Sequence, residues 1–320
     1  MVCVIGEALI DLVMDPATAA STGPKTYLAH PGGSPFNVAI GLARLGQPAT
    51  LLARLSGDAF GRQLRAHAEA NGVDLSCAVS AAESSTLAVV SLDAHGNAGY
   101  DFYQTGTADW QWSAAELGRM PSDTSWIHTG SLASWTEPGA TVIQAELRRR
   151  RDRPVVISYD PNIRPALLPD HRSAVGQVEA MVALADVVKA SAEDLDWLYP
   201  GQGADEVLRR WRGLGATVVV RTDGGRGARF LAAGDQVQAL PSRPVQVLDT
   251  VGAGDAFMAG LINALASGGY LGRAGAASVG AEETAAEAAV AEAILVAALT
   301  CAKAGANPPT AAELATARAD

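Results

Sequence analysis

The most informative part of the sequence reads Leu248-Asp249-Thr250-Val251-Gly252-Ala253-Gly254-Asp255-Ala256-Phe257, between a predicted strand and an apolar helical pattern that ends at Ala266. A strand, a glycine turn and a helix in this order form an anion site, because glycines let the backbone approach a phosphate and a helix N-terminus presents free N–H groups. Asp255 lies at the predicted helix start. There it is either an N-cap or the acceptor of a proton from an attacking hydroxyl, and the second glycine and the nearby Asp249 favour proton transfer.

Other chemistries lack their sequence signatures. Phe257 occupies the final position of an otherwise similar GxGxxG pattern and no GxxxxGK[ST] is present, which disfavours a simple dinucleotide fold and a P-loop. The five histidines show no HExxH or paired spacing, so we predict no zinc site. No GxSxG pattern indicates a serine nucleophile.

Around this turn, short β-branched runs alternate with alanine-rich helical stretches. Several runs are apolar throughout, which is typical of a parallel sheet covered on both faces, the α/β doubly wound class. The predicted strands are Val2–Gly6, Leu51–Leu55, Trp126–Gly130, Val155–Tyr159, Val187–Ala190, Val218–Arg221 and Val245–Leu248. The predicted helices lie near residues 35–45, 59–70, 139–151, 173–184, 203–214, 255–266 and 282–303.

Two segments interrupt this alternation, residues 8–30 and residues 86–104. The second predicts a β-hairpin, with strands Thr86–Asp93 and Ala98–Tyr103 around a His-Gly-Asn turn. No linker marks an independent second domain, so we predict one domain over residues 1–320 with a small β lid formed from the two segments. Exposed sheet edges invite pairing, and a homodimer through this lid is a further expectation.

Composition and charge bound the possible partners. The chain has 320 residues, 48% of them hydrophobic, and its 34 acidic and 24 basic residues give a net charge of −10. A chain of this length buries a sufficient core without disulfides or metals. The negative charge disfavours nucleic-acid binding, because phosphate contacts dominate that affinity. The arginine cluster at residues 148–153 is interpreted as the basic end of a helix rather than as an anion-binding patch.

The cysteines and the apolar runs indicate in which cellular compartment we expect the protein. Cys3, Cys77 and Cys301 are far apart and show no ligand spacing, which is typical of free thiols in a reducing environment. The N-terminus lacks the pattern of a secretory signal, and the longest apolar run, residues 293–302, is shorter than a bilayer requires. We expect a cytoplasmic protein without a membrane contact.

A second glycine-containing stretch, residues 31–37, leads into a predicted helix that stops at Gly46. Ser34 is predicted as its N-cap, with proline in the first helical position. Gly32 and Gly33 permit the close approach of a small molecule. Asn37 could turn its amide toward that ligand, or it could make a local hydrogen bond to the turn.

Polar residues inside or after other strands add candidates. Asp11 lies in an apolar β run, where a carboxylate is costly to bury, so it either contacts a ligand or occupies an exposed edge. Arg164, Lys189 and Thr222 follow or end three further strands. Open α/β sheets bind ligands at the carboxyl ends of their strands, although polar residues and glycines also punctuate such ends. Together with the glycine turn, they suggest a phosphorylated ligand, with Arg164 as an anion clamp.

The Gly32-Gly33 and Asn37 pattern and the stretch from Asp249 to Asp255 resemble the two signatures of the ribokinase-like, PfkB-type carbohydrate kinases. The matching order and spacing run from Val4 to Pro308. Two more stretches, residues 128–132 and residues 160–165, resemble the fructokinase branch of that family.

The resemblance implies a Rossmann-type three-layer α/β sandwich with a mainly parallel sheet and a small β-sheet lid, and transfer of the ATP γ-phosphoryl group to a sugar hydroxyl with Mg²⁺ and, in many members, K⁺. It implies Asp255 as the catalytic base and the amides of Gly252, Ala253 and Gly254 as the anion hole. The implied sugar-binding positions are Asp11, Gly32, Gly33 and Asn37, with Arg164 near the transferred phosphate. The implied nucleotide-site residues are Lys189, Asp194, Thr222, Gly224 and Gly227, and Asp249 matches a monovalent-cation position.

Two positions depart from the family pattern. Ser191-Ala192-Glu193-Asp194 stands where the metal-linked NxxE motif would fall, so Asp194 takes the place of the glutamate near the Mg²⁺ hydration shell. Gln104 stands where fructokinase-like members often carry an arginine that contacts the sugar.

Fructose is the expected acceptor. The alternatives within this chemistry are ribose, 2-keto-3-deoxygluconate, a nucleoside or a sugar phosphate. The scarcity of basic residues in the predicted sugar-binding segments disfavours the sugar phosphate. A non-catalytic sugar or nucleotide sensor and a dinucleotide-dependent oxidoreductase are the competing classes.

Overall fold

The computed structural model describes residues 1–19, 23–92, 98–168, 170–232, 234–269 and 283–319 of the chain. Its strands, in chain order, are β1 (Val2–Ile5), β2 (Leu9–Met14), β3 (Tyr27–Gly32), β4 (Ala49–Leu52), β5 (Arg54–Ser56), β6 (Val79–Ala81), β7 (Leu87–Leu92), β8 (Ala98–Tyr103), β9 (Trp126–Gly130), β10 (Val156–Asp160), β11 (Val187–Ser191), β12 (Val218–Thr222), β13 (Ala228–Leu231) and β14 (Gln238–Leu240).

The helices of the described residues are α1 (Pro16–Ala19), α2 (Ser34–Arg44), α3 (Ala59–Ala70), α4 (Ala114–Leu117), α5 (Gly139–Arg150), α6 (His171–Val182), α7 (Ala192–Leu198), α8 (Ala204–Leu214), α9 (Ala253–Ser267), α10 (Glu283–Cys301) and α11 (Ala311–Ala319).

The main sheet has eight strands in the order β14-β13-β12-β11-β10-β9-β1-β4. The six strands from β12 to β4 run parallel, and β13 and β14 continue the sheet antiparallel at one edge. The strands β5 and β6 pair in a separate parallel ribbon.

Two layers of helices cover the main sheet, because successive residues of a strand point to opposite faces and both faces here are apolar. On one face, Val2, Trp126 and Val187 pack with buried residues of α2, α9 and α10. On the other face, residues such as Ile127 and Val188 pack with buried residues of α5, α6 and α8. The predicted three-layer α/β sandwich is confirmed.

Most predicted elements are present, and one is wrong. The segment Val245–Leu248 forms no strand, and the side chains of Val247 and Leu248 are 60% and 68% exposed. None of the described strands pairs with this segment, and β propensity alone does not supply a partner. The predicted strand Leu51–Leu55 divides at Ala53 into β4 and β5, and the helix predicted from residue 255 begins two residues earlier, at Ala253.

The two segments that interrupt the α/β alternation meet in one small four-stranded sheet, ordered β3-β2-β7-β8. In it, β2 pairs antiparallel with β3 and parallel with β7, and β8 forms an antiparallel hairpin with β7. The turn of this hairpin, residues 93–97, lies outside the described residues. Asp11 lies on β2, an interior strand, so the alternative of an exposed edge position is wrong.

The arginine cluster at residues 148–153 lies at the C-terminal end of α5, where its side chains have partners. Arg149 and Arg150 both contact Glu146 at 2.7 Å, and Arg151 donates to the carbonyl of Leu184 at 2.6 Å. These local pairs agree with a basic helix end.

One described helix, α10, is long and apolar enough to cross a membrane by length and composition alone. That test is weak, because a core helix passes it too. Here α10 packs closely on α9: a Cβ on Gly260 would lie 3.0 Å from the Cα of Ala293. Ala289, Val290 and Ala293 are buried, as expected of a helix in a covering layer.

The closest approach of α2 and α9 gives a test of the packing. A Cβ on Gly41 would lie 2.6 Å from the Cβ of Ala259. Gly41→Ala must push the helices apart, so we expect the free energy of unfolding in urea to fall by about 1–3 kcal/mol. The matched control is Gly176→Ala in α6, where the Cβ position is open. There the substitution should raise the free energy of unfolding by about 0.5–1 kcal/mol through helix propensity. Equal effects in the two variants would contradict the close contact.

Candidate active site

The start of α9 is built on Gly252. This residue is the N-cap, in the left-handed conformation with φ 74°, and a Cβ there would lie 2.6 Å from the Cβ of Ala306. Both the backbone conformation and the available space therefore require glycine. The N–H groups of the first helical turn have no acceptor within the helix, so they can face an anion. The amide of Ala253 makes one hydrogen bond, to the carbonyl of Thr250 at 3.2 Å.

Asp255 lies in the first turn of α9, three residues beyond the cap. The N-cap alternative for this aspartate is therefore wrong. Its Oδ1 accepts a hydrogen bond from Ser34 Oγ at 2.6 Å, and its Oδ2 accepts one from Asn37 Nδ2 at 2.8 Å. Both donors lie in the first turn of α2, so the N-terminal turns of α2 and α9 meet at this carboxylate.

These contacts change two of the predicted roles. Gly33, not Ser34, is the N-cap of α2, and it makes no side-chain capping bond. The Ser34 hydroxyl instead fixes Asp255, a role that the capping prediction missed. The Nδ2 of Asn37 donates to Asp255 rather than to the local turn, and its contact with a sugar stays a prediction.

The environment of Asp255 raises its affinity for a proton. Burial raises the pKa of this carboxyl above its ordinary value, although the bonds from Ser34 and Asn37 and the charges of Lys189 and Arg164 all oppose the change. A carboxylate with a raised pKa is a stronger general base than an exposed aspartate. Asp255 thus combines a fixed orientation with an increased basicity.

A buried ion pair lies beneath the turn. Lys189 Nζ contacts Asp160 Oδ2 at 2.6 Å, and both side chains are almost fully buried. A Cβ on Gly254 would lie 3.1 Å from the same Nζ, so the ammonium group is directly below the helix start. Burial lowers the pKa of Lys189, but the charge and hydrogen bond of Asp160 outweigh it, and the net pKa is raised. Lys189 therefore remains a cation.

Asp160 is not among the predicted site residues, although it directly follows the predicted strand Val155–Tyr159. Burial raises its pKa to about 6, while the Lys189 charge opposes the change. Because β10 and β11 are parallel neighbours, Asp160 and Lys189 emerge side by side on one face of the sheet. The register of β10 against β11 is the signal that could have predicted this ion pair, and neither sequence segment shows that register by itself.

Asp11 and Arg164 lie near Asp255, since their charges act on one another, and we call the space among these three side chains and the Gly32-Gly33 pair the cleft. A Cβ on Gly32 would lie 2.3 Å from Asp11 Oδ2, so this glycine makes room for the carboxylate. Gly33 has φ 106° and approaches the carbonyl of Glu7. Burial raises the pKa of Asp11 to about 6; Arg164 lowers it and Asp255 raises it. The three charged groups therefore act on one another across one cleft.

Arg164 is held by its own loop. Its Nη1 donates to Asn162 Oδ1 at 2.8 Å and to the Ile163 carbonyl at 3.0 Å. Asn162 adopts a left-handed conformation with φ 40°, which turns the chain after β10. The guanidinium is half-buried and lowers the pKa of Asp255 and of Asp11, so it supplies positive charge to the cleft.

The predicted nucleotide-site residues lie at the carboxyl ends of β11 and β12, where Ser191 pairs with Thr222. Asp194 forms a capping box with Ser191, and its Oδ1 accepts from the Ile163 amide at 2.7 Å. It thus braces the Arg164 loop, and its link to Mg²⁺ stays a prediction. Gly224 and Gly227 have φ 57° and 102° in the connection from β12 to β13, where a side chain on Gly227 would meet the Leu240 carbonyl.

Asp249 connects two loops behind the anion turn. Its Oδ1 accepts from the Val251 amide at 3.0 Å and its Oδ2 accepts from the Gly305 amide at 2.8 Å. Although burial opposes it, these backbone bonds lower the pKa of Asp249, which is therefore ionised. Within the described ranges, no group of three or more histidine, cysteine or acidic side chains could hold a metal ion.

An anion turn at a helix N-terminus, with a fixed basic carboxylate beside it and a polar cleft opposite, is the arrangement of an enzyme that transfers a phosphoryl group to a hydroxyl. The sequence matches the pfkB family of carbohydrate kinases over residues 1–313, and the chain belongs to that family. It is therefore a sugar kinase.

Relatives of known activity and structure agree with this family. A fructokinase from Rhizobium leguminosarum bv. trifolii is 37% identical over 265 residues, which cover 83% of this chain and 79% of that protein. The crystal structure of a fructokinase with bound ATP from Xylella fastidiosa superposes with a TM-score of 0.89 at 27% identity, covering 99% and 97% of the two chains. A double-mutant fructokinase from Vibrio cholerae O395, in its fructose-, ADP- and potassium-bound form, gives 0.82 at 28% identity, with coverage of 99% and 97%.

Removal of the buried ammonium group tests the ion pair. Lys189→Met leaves Asp160 as an unpaired buried charge, so we expect the free energy of unfolding at pH 8 to fall by about 3 kcal/mol or more. Without Lys189, the folded-state pKa of Asp160 lies even further above its unfolded value. Folding then gains stability as the pH falls through that pKa, and the deficit relative to wild type should shrink between pH 8 and pH 5.

The matched control is Lys303→Met. Lys303 contacts Glu313 at 2.7 Å on the surface, and this contact should contribute no more than about 1 kcal/mol. The lysine bond lowers the pKa of Glu313 to about 2, below the pH range of the measurement. The small deficit of this variant should therefore not change with pH. A pH-independent loss in Lys189→Met would contradict a charged Asp160 beneath the turn.

Proposed function

We propose that this sugar kinase is an ATP-dependent fructokinase in which Asp255 is the catalytic base. The observation that carries the proposal is the Asp255 carboxylate, which Ser34 and Asn37 fix at the glycine turn, near enough to Asp11 and Arg164 for their charges to act on one another. The fructokinase relatives, and the neighbours with bound ATP or with fructose and ADP, support both substrates.

In this mechanism, Asp255 accepts the proton of a sugar hydroxyl while that oxygen attacks the γ-phosphorus of ATP and the bond to ADP breaks. The negative charge on the transferred group develops against the amides of Gly252, Ala253 and Gly254. Arg164 adds positive charge from the acceptor side, and Lys189 adds it from below the turn. The residues of the chain thus orient the hydroxyl, take one proton and stabilise charge, which is most of what phosphoryl transfer requires.

On the acceptor side, we assign the sugar to Asp11, Gly32, Gly33 and Asn37. A carboxylate can accept bonds from two adjacent hydroxyls, and the glycines leave space for the ring. On the other side, Thr222, Gly224 and Gly227 would contact the nucleotide. Closure of the small sheet over this cleft would exclude water, which would otherwise compete with the sugar as acceptor. We treat residues 1–320 as one domain with this sheet as its lid.

Mg²⁺ bound to the ATP phosphates would neutralise their charge. The described part of the chain holds no cluster of three or more histidine, cysteine or acidic side chains, which suits an ion that retains most of its water. Asp194 is the residue predicted to serve this ion, and because both its oxygens accept backbone hydrogen bonds, it would act through water. For K⁺, the ionised Asp249 would supply a carboxylate oxygen, and the potassium-bound neighbour supports this assignment.

A second candidate function is the phosphorylation of another acceptor, such as ribose, 2-keto-3-deoxygluconate or a nucleoside. The observation that favours it is Gln104, whose Oε1 is buried without a hydrogen-bond partner. An amide at this position replaces the positive charge of the arginine expected in a fructokinase.

We place the enzyme in the cytoplasm, where ATP is available and where the free thiols of Cys3, Cys77 and Cys301 stay reduced.

The first experiment is ADP release with Mg-ATP, with and without K⁺, across fructose, ribose, 2-keto-3-deoxygluconate, adenosine and fructose 6-phosphate. We expect fructose to give the highest kcat/KM. Asp255→Asn should lower kcat by about 10²–10⁴-fold and leave sugar affinity nearly unchanged, because it removes a proton acceptor and keeps the side-chain shape. Asp205→Asn, which alters an exposed carboxylate paired with Arg229, is the control and should behave as wild type.

The pH dependence adds a second readout. The base must be ionised, so kcat/KM should fall as the pH drops through the Asp255 pKa, which lies above that of an ordinary aspartate. Retained turnover in Asp255→Asn would overturn the assignment of the base. A stronger acceptor than fructose would keep the kinase and change its substrate.

We also propose a homodimer through the small sheet. Its two edge strands, β3 and β8, expose Leu28 and Tyr103 by 51% and 63%. Edges with large apolar side chains favour pairing with another chain. We expect sedimentation to give twice the chain mass of 32.8 kDa, and Leu28→Glu to reduce it to that of one chain. Val247→Glu, at a residue 60% exposed but outside this sheet, should leave the dimer intact. A wild-type monomer would refute the proposal.

A further inference from the structure

The small sheet is joined to the rest of the molecule by four chain links. They are residues 6–8 before β2, Gly33 after β3, residues 82–86 before β7 and residues 104–107 after β8. Any movement of the small sheet toward the main sheet must bend or turn these links. Asp109 lies immediately beyond the last of them.

Two of the four links bond directly to the Asp109 carboxylate, and a third is connected to it through Thr86. Its Oδ1 accepts from the Ala8 amide at 2.9 Å, in the first link, and its Oδ2 accepts from Thr86 Oγ1 at 2.5 Å, in the third. The Thr86 hydroxyl is also 2.6 Å from Thr107 Oγ1, in the fourth link. We call Ala8, Thr86, Thr107 and Asp109 the hinge cluster.

The hinge cluster is closed to water. The exposed fractions of Ala8, Thr86, Thr107 and Asp109 are 2%, 0%, 8% and 1%. A buried polar group that loses its partner cannot replace it with solvent, so each of these bonds is more costly to break than a surface bond. Buried hydrogen bonds therefore hold these links together.

The remaining link touches the first one. Gly33 approaches so closely that a Cβ would lie 2.7 Å from the carbonyl of Glu7. The fully buried Glu7 side chain accepts from the Ala133 amide at 3.0 Å, which fixes this region to the residues after β9. All four links therefore converge on one region below the small sheet.

The charged groups around Asp109 are Glu7 and Arg54. Burial raises the pKa of Asp109 to about 7, and the Arg54 charge opposes the change. The guanidinium donates to the Ala108 carbonyl at 2.9 Å and also pairs with Glu83 and Glu116. Arg54 thus holds the backbone beside Asp109 and does not take its carboxylate as a partner.

We propose that Asp109 is a positioning residue that fixes the small sheet, and with it Asp11 and Gly32, relative to Asp255. Asp11 lies three residues beyond Ala8, and Gly32 is next to the Gly33 link. A loosened hinge cluster would displace the acceptor side of the cleft and leave α9 and the nucleotide side in place. This inference rests on the proposed function, because the proposed function assigns sugar binding to Asp11 and Gly32.

The test uses a matched pair at Thr86, because Asp109→Ala carries the risk of failing to fold. Thr86→Val keeps the shape of the side chain and removes its hydroxyl, whereas Thr86→Ser keeps the hydroxyl. We expect Thr86→Val to raise the KM for the preferred sugar by about 5- to 20-fold, with kcat changed less than about threefold and the KM for ATP unchanged. Thr86→Ser should restore the sugar KM to within about twofold of wild type.

A parallel loss of kcat and of both KM values would indicate a merely structural role and overturn the proposal, and so would an unchanged sugar KM in Thr86→Val. Amide hydrogen exchange without substrates separates this inference from the kinase assignment. Thr86→Val should accelerate exchange in β2 and β7 and leave β11 unchanged, whichever acceptor the enzyme uses. Unchanged exchange in β2 and β7 would refute the hinge cluster even in an active kinase, whereas a wild type without any sugar-dependent turnover would refute only the proposed function.

Discussion

The meeting of two helix N-termini at one carboxylate is the constraint on which the site depends. Asp255 belongs to α9, and the two groups that orient it belong to α2, more than 200 residues earlier in the chain. Gly41 allows α2 and α9 to approach within contact distance. The packing of these two helices therefore also determines the position of the Asp255 carboxylate relative to Ser34 and Asn37. The first turn of α9 therefore brings its N–H groups next to Asp255, and among them the amide of Ala253 bonds to the Thr250 carbonyl.

The electrostatics follow from burial. A cation under the turn and a guanidinium across the cleft both favour the ionised form of Asp255, and yet desolvation raises its pKa overall. The cleft therefore combines positive charge, which suits phosphate, with a carboxylate that still attracts a proton. Water would weaken both effects, so the closure of the small sheet that we propose would strengthen them.

Local patterns predicted the parts of this structure that depend on neighbouring residues. The glycine turn, the parallel sheet and the hairpin of the small sheet could all be read from short stretches, because turn chemistry and hydrophobic periodicity are local. Ser34 was assigned to capping because its partner is 221 residues away. Asp160 and Asp109 were missed for the same reason: each acquires its role from a strand or link that only the folded chain brings near. The strand predicted at Val245–Leu248 shows the opposite error. Its residues favour β structure locally, but none of the described strands pairs with them.

The order of the main sheet has a consequence for how the protein is made. From β9 onward, each strand is added beside the one before it, so most of the sheet can grow as the chain leaves the ribosome. The helices α9 and α10, which cover much of one face, are synthesised only after the last strand. Until then, only the earlier helices such as α2 are present to cover this face, and residues such as Trp126, Val156 and Val187 lack their contacts with α9 and α10. Translation therefore passes through a stage in which this sheet face is open to aggregation and to chaperones.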